Sequence, residues 1–160
     1  IIGAGAEKVV INSYAAEQPD FVEQAADTFG SSTITICIDV KKKFLKGLRA
    51  WTKGGTEAMQ YDPIAFAQLM EAKGAGEIII QSIEKDGTME GYDIPLIRSI
   101  SEAVNIPVIA LGGAGNLDDL KEAYQDGYAN GLAAGSMFVY IGPHKGVLIN
   151  YPEREQIQFD

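Results

Sequence analysis

The run Ile106-Pro107-Val108-Ile109-Ala110-Leu111-Gly112-Gly113-Ala114-Gly115-Asn116 decides how this chain is read. Its first half, Pro107–Leu111, is a short apolar strand pattern that ends in a glycine turn. The turn opens a helix over Asn116–Asp126: Asn116 is the cap, Asp118 and Asp119 lie in the first turn, and Gly127 stands just past the end. The next apolar run, Leu132–Phe138, carries Gly135-Ser136 within it or at its end. Upstream, three more strand patterns occur at Lys8–Asn12, Ile34–Val40 and Glu77–Ile83. Helical patterns separate them at Pro19–Phe29, Pro63–Lys73 (Asp62 as cap, Gly74 as stop) and Asp93–Val104. The entrances to three strands also repeat weakly, as Gly-Ala-Glu-Lys-Val at 5–9, Gly-Ala-Gly-Glu-Ile at 74–78 and Gly-Tyr-Ala-Asn-Gly at 127–131.

Strict strand–helix alternation means βαβ units and a parallel sheet. Two architectures fit, an open doubly wound sheet or part of a (β/α)₈ TIM barrel. A whole barrel takes about 250 residues, and this chain has 160. The glycines favour the barrel. Gly112-Gly113 and Gly135-Ser136 fall where a barrel holds phosphate, after its seventh and eighth strands, and the helix opened at Asn116 is expected to offer its N–H groups and dipole to that phosphate. The expectation is one partial barrel domain over residues 1–160 carrying strands four to eight. The opening Ile1-Ile2-Gly3-Ala4-Gly5 reads as the tail of a helix entering a strand, so strands one to three are expected upstream. One long connection, Lys41–Asp62, breaks the alternation, and its segment Phe44–Trp51 could fold as a hairpin.

Composition narrows the function. Thirteen Lys and Arg against 22 Asp and Glu leave a formal charge of −9. Such a surface repels a phosphate backbone, which argues against nucleic acid as a partner. A small phosphorylated ligand remains compatible, because a few backbone N–H groups hold phosphate locally. The single cysteine, Cys37, cannot form an intramolecular disulfide, so a reducing, cytoplasmic setting is expected. No apolar run approaches the ~18 residues of a membrane span.

Alternation along Ile34–Val40 puts Ile34, Ile36, Ile38 and Val40 on one face and Thr35, Cys37 and Asp39 on the other. The uniformly apolar set suits helix packing. Asp39 then points inward at the C-terminal mouth, where barrels place catalytic groups; the bland reading is a cap for the lysines that follow. Asp86-Gly87-Thr88 follows the next strand at a similar height, although Asp-Gly is also ordinary turn chemistry. Lys8 and Glu77 start their strands on the inward register and are expected to pair at the opposite end; an ordinary surface ion pair there is worth little. His144 is the only histidine, and no ligand set for zinc accompanies it. Ser136 lacks a histidine–acid pair for a hydrolase triad.

Several runs together resemble the cyclase subunit of imidazole glycerol phosphate synthase. They are Lys8–Ser13, Ile38-Asp39-Val40-Lys41, Gly74–Ile78, Ser82-Ile83-Glu84-Lys85-Asp86-Gly87-Thr88, Gly91-Tyr92-Asp93 and Ile106–Asn116. The resemblance runs in order from the start of the chain to about Phe138. It implies a phosphate-binding (β/α)₈ barrel of histidine biosynthesis with no cofactor and no metal. Ammonia from a glutaminase partner cleaves a phosphoribulosyl-formimino aminoimidazole carboxamide ribonucleotide and closes an imidazole ring. The resemblance implies that Asp39 is one of two acid–base aspartates, the other lying on strand one, and that Asp86 is a further active-site carboxylate. It places Asn12 and Ser13 near one substrate phosphate. Gly112, Gly113, Gly135 and Ser136 align with the other phosphate site. Lys8 and Glu77 match a charged ring through which ammonia enters.

The departures are specific. Leu111 stands where the pathway enzyme has a serine, Ser13 replaces a threonine, Gln81 a threonine and Glu84 an aspartate. The loop is shortened around Gly54-Gly55, and the tail from Gly142 to Pro152 does not look like a final helix. Leu111 and the tail resemble cyclase-like paralogues linked to amidination of surface-glycan sugars. A third reading is an inactive half-barrel or scaffold, since unpaired sheet edges invite association.

Overall fold

The computed structural model describes residues 1–142, 144–157 and 159; Pro143, in the tail read above, lies outside them. The chain folds as β1 (Val9–Ile11), α1 (Ser13–Glu17), α2 (Pro19–Phe29), β2 (Ile34–Lys43), β3 (Gly47–Thr52), β4 (Glu57–Ala58) and α3 (Pro63–Ala72). It continues with β5 (Glu77–Ser82), α4 (Ile94–Ser101), β6 (Val108–Leu111), α5 (Leu117–Gln125), β7 (Gly131–Ala133), α6 (Ser136–Val139), β8 (Tyr140–Ile141) and β9 (Gly146–Val147).

Helix starts obey their local signals. The Asp62 carboxylate accepts the Ala65 N–H at 3.0 Å with Pro63 in the first turn, and Asp93 accepts the Leu96 N–H at 3.2 Å. At α5 the cap is reciprocal: Asn116 Oδ1 accepts the Asp119 N–H, while the Asp119 carboxylate accepts the N–H of Asn116.

Five strands are parallel and lie side by side in chain order, β1-β2-β5-β6-β7. A doubly wound sheet reverses its strand order at a switch point. No reversal occurs here, and consecutive parallel strands joined by helices are the repeat of a (β/α)₈ barrel. The fold is therefore α/β with alternating βα units.

Strand β2 organises the sheet. One edge pairs with β5 from Thr35 to Val40. The other pairs first with β1, through Ile34–Ile36, and then antiparallel with β3, through Asp39–Lys43. Its isoleucine face is sealed: Ile34, Ile36, Ile38 and Val40 are all at most 1% exposed, as are Ile78, Ile80, Val108 and Ala110 on the neighbouring strands. Phe66, Met70, Leu96 and Ile100 of α3 and α4 join the same core. Burying each such side chain is worth about 1.5–3 kcal/mol.

Two strand ends differ most from the sequence reading. The strand expected over Leu132–Phe138 ends at Ala133, and Ser136–Val139 is a short helix, so Phe138 is helical. Gly135 caps that helix, which ends the extended run before its apolar pattern does. The strand read as Ile34–Val40 runs on to Lys43 because β3 pairs with its extension; a hairpin forms, with its first arm in Asp39–Lys43 rather than within Phe44–Trp51. After α6 the tail makes a small hairpin of β8 and β9 rather than a helix.

Ile80 lies mid-strand with 1% exposure. Replacing it with alanine should cost about 2–5 kcal/mol, read as a lower urea midpoint with an unchanged slope. A loss under about 0.5 kcal/mol, typical of surface positions, would contradict this packing.

Candidate active site

Because the isoleucine face of β2 is committed to the helices, Thr35, Cys37 and Asp39 emerge on the other face. Asp39 is only 7% exposed. In register beside it on β5 is Gln81. The Gln81 amide donates from Nε2 to Asp86 Oδ2 at 3.4 Å, while Cys37 Sγ lies 4.0 Å from both Asp39 Oδ1 and Gln81 Oε1. Asn12, at the end of β1, donates from Nδ2 to the Cys37 carbonyl at 3.0 Å and accepts from the Ser13 hydroxyl. The structure thus brings Asn12, Ser13, Asp39 and Asp86 to one end of the sheet, with Cys37 and Gln81 between them.

Electrostatics at this end favour protonation. Burial raises the Asp39 carboxyl above the usual carboxylate range, the Asn12 amide pulls it partly back, and the charge of Asp86 raises it again. Burial, with the Asp39 charge second, pushes the Cys37 thiol up to about 11, so it stays a neutral thiol rather than a nucleophile.

The glycine turns stand beside the carboxylates. Asp86, Gly87, Leu111, Gly112, Gly113, Ala114, Gly135 and Ser136 line one small cleft of about 20 Å³. Gly112 and Gly113 have φ of 94° and 114°, a region that side chains avoid. A Cβ on Gly113 would collide with the Gly91 carbonyl, and one on Gly112 would reach the Ser82 carbonyl at 2.7 Å. The sequence reading is corrected on one point. The helix at Asn116 was expected to offer its N–H groups to a phosphate, but the Asp119 carboxylate already accepts from Gly115 at 2.8 Å and from Asn116 at 3.2 Å. The N–H groups at this cleft that meet no acceptor among the described residues are those of Gly113, Ala114 and the start of α6.

At the other end of the strands, Lys8 Nζ meets Glu77 Oε2 at 3.0 Å, and the Thr35 hydroxyl donates to the same oxygen at 3.1 Å. The expected pair forms, with Glu77 much the more enclosed partner. His144 is an exposed turn residue. Among the described residues no group of three His, Cys, Asp or Glu could hold a metal ion, and no helix is long and apolar enough to cross a membrane.

Comparison with known proteins gives this geometry its context. Residues 1–144 match the family described as histidine biosynthesis protein. A Pseudomonas aeruginosa protein provisionally named imidazole glycerol phosphate synthase subunit hisF2 is 40% identical over 153 residues, covering 96% of this chain. The chain belongs to the histidine biosynthesis protein family. It spans 61% of the length of that relative. Within this family the parallel strands described above are part of a TIM barrel, and the likeness is to a cyclase of this type or a paralogue of it.

Three features of the family member were not singled out from its sequence as parts of the site. Gln81 and Cys37 fill the space between the carboxylates; the alternation that exposed Asp39 also placed them inward, but neither type announces a role. The Ser13 hydroxyl accepts the Lys53 N–H at 2.8 Å, tying α1 to the hairpin, and 40 residues of separation hide that contact. Tyr92 is buried and donates to the Ala133 carbonyl at 2.9 Å, joining the loop after β5 to β7.

The raised Asp39 carboxyl has a consequence for stability. A neutral Asp39 suits the fold, so its contribution is complete below the ordinary carboxylate pKa and is lost as pH rises through the raised one. Asp39→Asn keeps the shape without the charge. It should melt above the native protein at pH 7, with the gap closing below about pH 4. A gap that is absent, or that does not change with pH, would remove the burial argument.

Proposed function

We propose that this chain carries the strand-four-to-eight portion of a cyclase barrel of the imidazole glycerol phosphate synthase type. In the complete barrel, ammonia would attack phosphoribulosyl-formimino aminoimidazole carboxamide ribonucleotide, cleave it and close the imidazole ring. The observation that carries this reading is the Asp39 carboxyl, buried beside Asp86 at the end of the sheet that also holds the glycine cleft. Each step moves protons. A nitrogen that attacks a carbon must lose a proton, and a departing oxygen or amine must gain one. A carboxyl raised toward neutrality exchanges protons in both directions more readily than an exposed one. Asp39 takes one acid–base role, and the strand-one aspartate implied by the resemblance takes the other. Asp86 stands near Asp39 and orients Gln81 by accepting from its amide. Gly112, Gly113, Gly135 and Ser136 receive one phosphate through backbone N–H groups, while Asn12 and Ser13 stand near the second. Lys8 and Glu77 guard the opposite end, where a glutaminase would deliver ammonia. A cytoplasmic setting suits both the substrate and the free thiol.

Two observations favour a second reading. Leu111 lines the phosphate cleft where the pathway enzyme has a serine, and the tail is a hairpin rather than a helix. Both features fit a paralogue that delivers ammonia to a sugar of a surface glycan.

The test is turnover of the ribonucleotide by the full-length protein with ammonium salt at alkaline pH. The native protein should form the imidazole product, and Asp39→Asn should lose about 10²–10⁴-fold in kcat while keeping its circular dichroism. A native protein inert on this substrate but active on a nucleotide-linked sugar would select the second reading. Inertness on both would favour a scaffold.

The opposite end gives a separate expectation. Ammonia passed inward from a partner avoids bulk water, where it is mostly protonated and a poor nucleophile. Lys8→Ala should therefore depress glutamine-driven turnover by about tenfold or more, equivalent to at least ~1.4 kcal/mol, and leave ammonium-driven turnover within about twofold. Equal losses with both nitrogen sources would reduce the Lys8–Glu77 pair to a support of the fold.

A further inference from the structure

The tail after α6 is the part of the chain that the proposed reaction leaves without a role. Its course is fixed from several sides. The Leu148 and Asn150 N–H groups donate to the Val139 and Phe138 carbonyls at 2.9 and 3.0 Å, and Tyr151 stacks on Phe138 with ring centres 4.8 Å apart. Lys145 Nζ donates to the Gly87 carbonyl at 3.0 Å, which ties the tail to the loop after β5. Beyond Tyr151 the chain makes a 3-10 turn, Arg154–Ile157, and Phe159 meets the Tyr124 ring of α5 at 6.0 Å between centres. Between this tail and the start of α5 lies a cavity of about 610 Å³, within the ~300–1,000 Å³ of small-ligand sites.

The lining decides what fits. Met89, Leu117, Met137 and Pro152 give apolar surface from four separate segments. Among the described residues no lysine, arginine or histidine lines the cavity, and its one charged side chain is the Asp118 carboxylate. The N–H groups of Gly115 and Asn116, which also line it, are taken by Asp119. An anion has little to hold it here. The remaining polar groups are chiefly amides: Gln156 engages only Oε1, which accepts the Glu153 N–H at 2.8 Å, and the Asn150 side chain meets no partner among the described residues. Thioether, leucine and proline surfaces suit the faces of a planar ring, and amides that both donate and accept suit the edge of a base.

The same three segments line this cavity and the glycine cleft in succession: Gly87 then Met89, Ala114 then Gly115, Ser136 then Met137. The two spaces are neighbours. We propose that the tail cavity holds the base of a nucleotide whose phosphate lies in the glycine cleft. The phosphate's place rests on the function proposed above, whereas the base site rests on its own lining. Neither Asp39 nor any other residue of β2 lines the cavity, so a base held there is a handle and not the reacting group. The substrate class is thereby a nucleotide-linked compound, which fits the acceptor of the second reading.

Methionine methyl groups report on the cavity. Of the four methionines in this chain, Met89 and Met137 line it, while Met59 and Met70 pack in or against the core. In the full-length protein with carbon-13-labelled methionine methyls, uridine (uncharged and without phosphate) should shift the Met89 and Met137 resonances saturably and leave Met59 and Met70 in place. Met89→Leu and Met137→Leu, which nearly conserve volume, assign the signals. Asn150→Ala combined with Gln156→Ala, both exposed positions, should weaken uridine by about tenfold or more, with an unmoved Met70 signal showing an intact core. Uridine monophosphate should bind about tenfold or more tightly than uridine, and saturating inorganic phosphate should remove that advantage without displacing uridine. Native-like uridine affinity in the double variant overturns the base site. So does silence of Met89 and Met137 toward uridine and adenosine alike, or a response to glucose alone, which would make the cavity a sugar site. Uridine bound with no gain from its phosphate overturns the span across the two spaces. Because uridine carries no reacting group, a protein that fails the turnover test but binds it here loses the proposed reaction and keeps the site.

Discussion

Burial of one face of β2 governs the rest of the structure. Ile34, Ile36, Ile38 and Val40 have no place but against the helices, and each residue so committed sends its neighbour to the other side. Thr35, Cys37 and Asp39 face inward for that reason rather than through any attraction of their own. A slip of one residue would put a carboxylate into the helix-packed core and four β-branched side chains on the inner face. The register is consequently fixed by energies far larger than the cost of holding Asp39 out of water. The fold can therefore keep a carboxyl that prefers to be protonated where an unconstrained chain would expose it.

The two ends of the sheet use charge differently. At the entrance to the strands, Lys8 and Glu77 neutralise each other, and the Thr35 hydroxyl helps fix the shared oxygen. At the exit, Asp39 and Asp86 are like charges within reach of one another and no cation is paired with either among the described residues. Opposite charges in contact make a rigid plug; like charges make a group whose proton is easily moved. That polarity matches a barrel in which structural conservatism sits at one end and chemistry at the other.

How much the sequence revealed follows from the range of each interaction. Asp39 was legible because side-chain alternation is a local rule that survives any tertiary arrangement. The Asp62 cap was legible because it spans three residues. The hairpin was legible from its length and its interruption of the alternation. The glycine turns form as read, but the first N–H groups of the helix they open are already taken. The sequence shows Asp119 near the start of a helix, and only the geometry shows it turned back on Gly115 and Asn116. The last strand was overextended because Met137 and Phe138 continue an apolar run that a helix uses equally well. Gln81, Cys37 and the Ser13–Lys53 contact escaped because each joins segments distant in sequence and involves residue types common anywhere.

The hairpin shows how an added element can extend a strand without disturbing the sheet below it. A parallel strand normally ends where its βα loop begins, and loops place side chains less precisely than strands do. Here β2 continues for four residues beyond Asp39, with β3 supplying the hydrogen bonds that its extension would otherwise lack. Alternation thus persists past the rim, so Lys41 and Lys43 inherit the orientation of Asp39 instead of sampling a loop's range. Leu48 and Ala50 anchor the extension to the same core that fixes the register below. A single hydrophobic constraint, applied at the isoleucines, is therefore transmitted along one strand from Thr35, whose hydroxyl donates to Glu77 near its start, through the Asp39 carboxyl to the cations beyond.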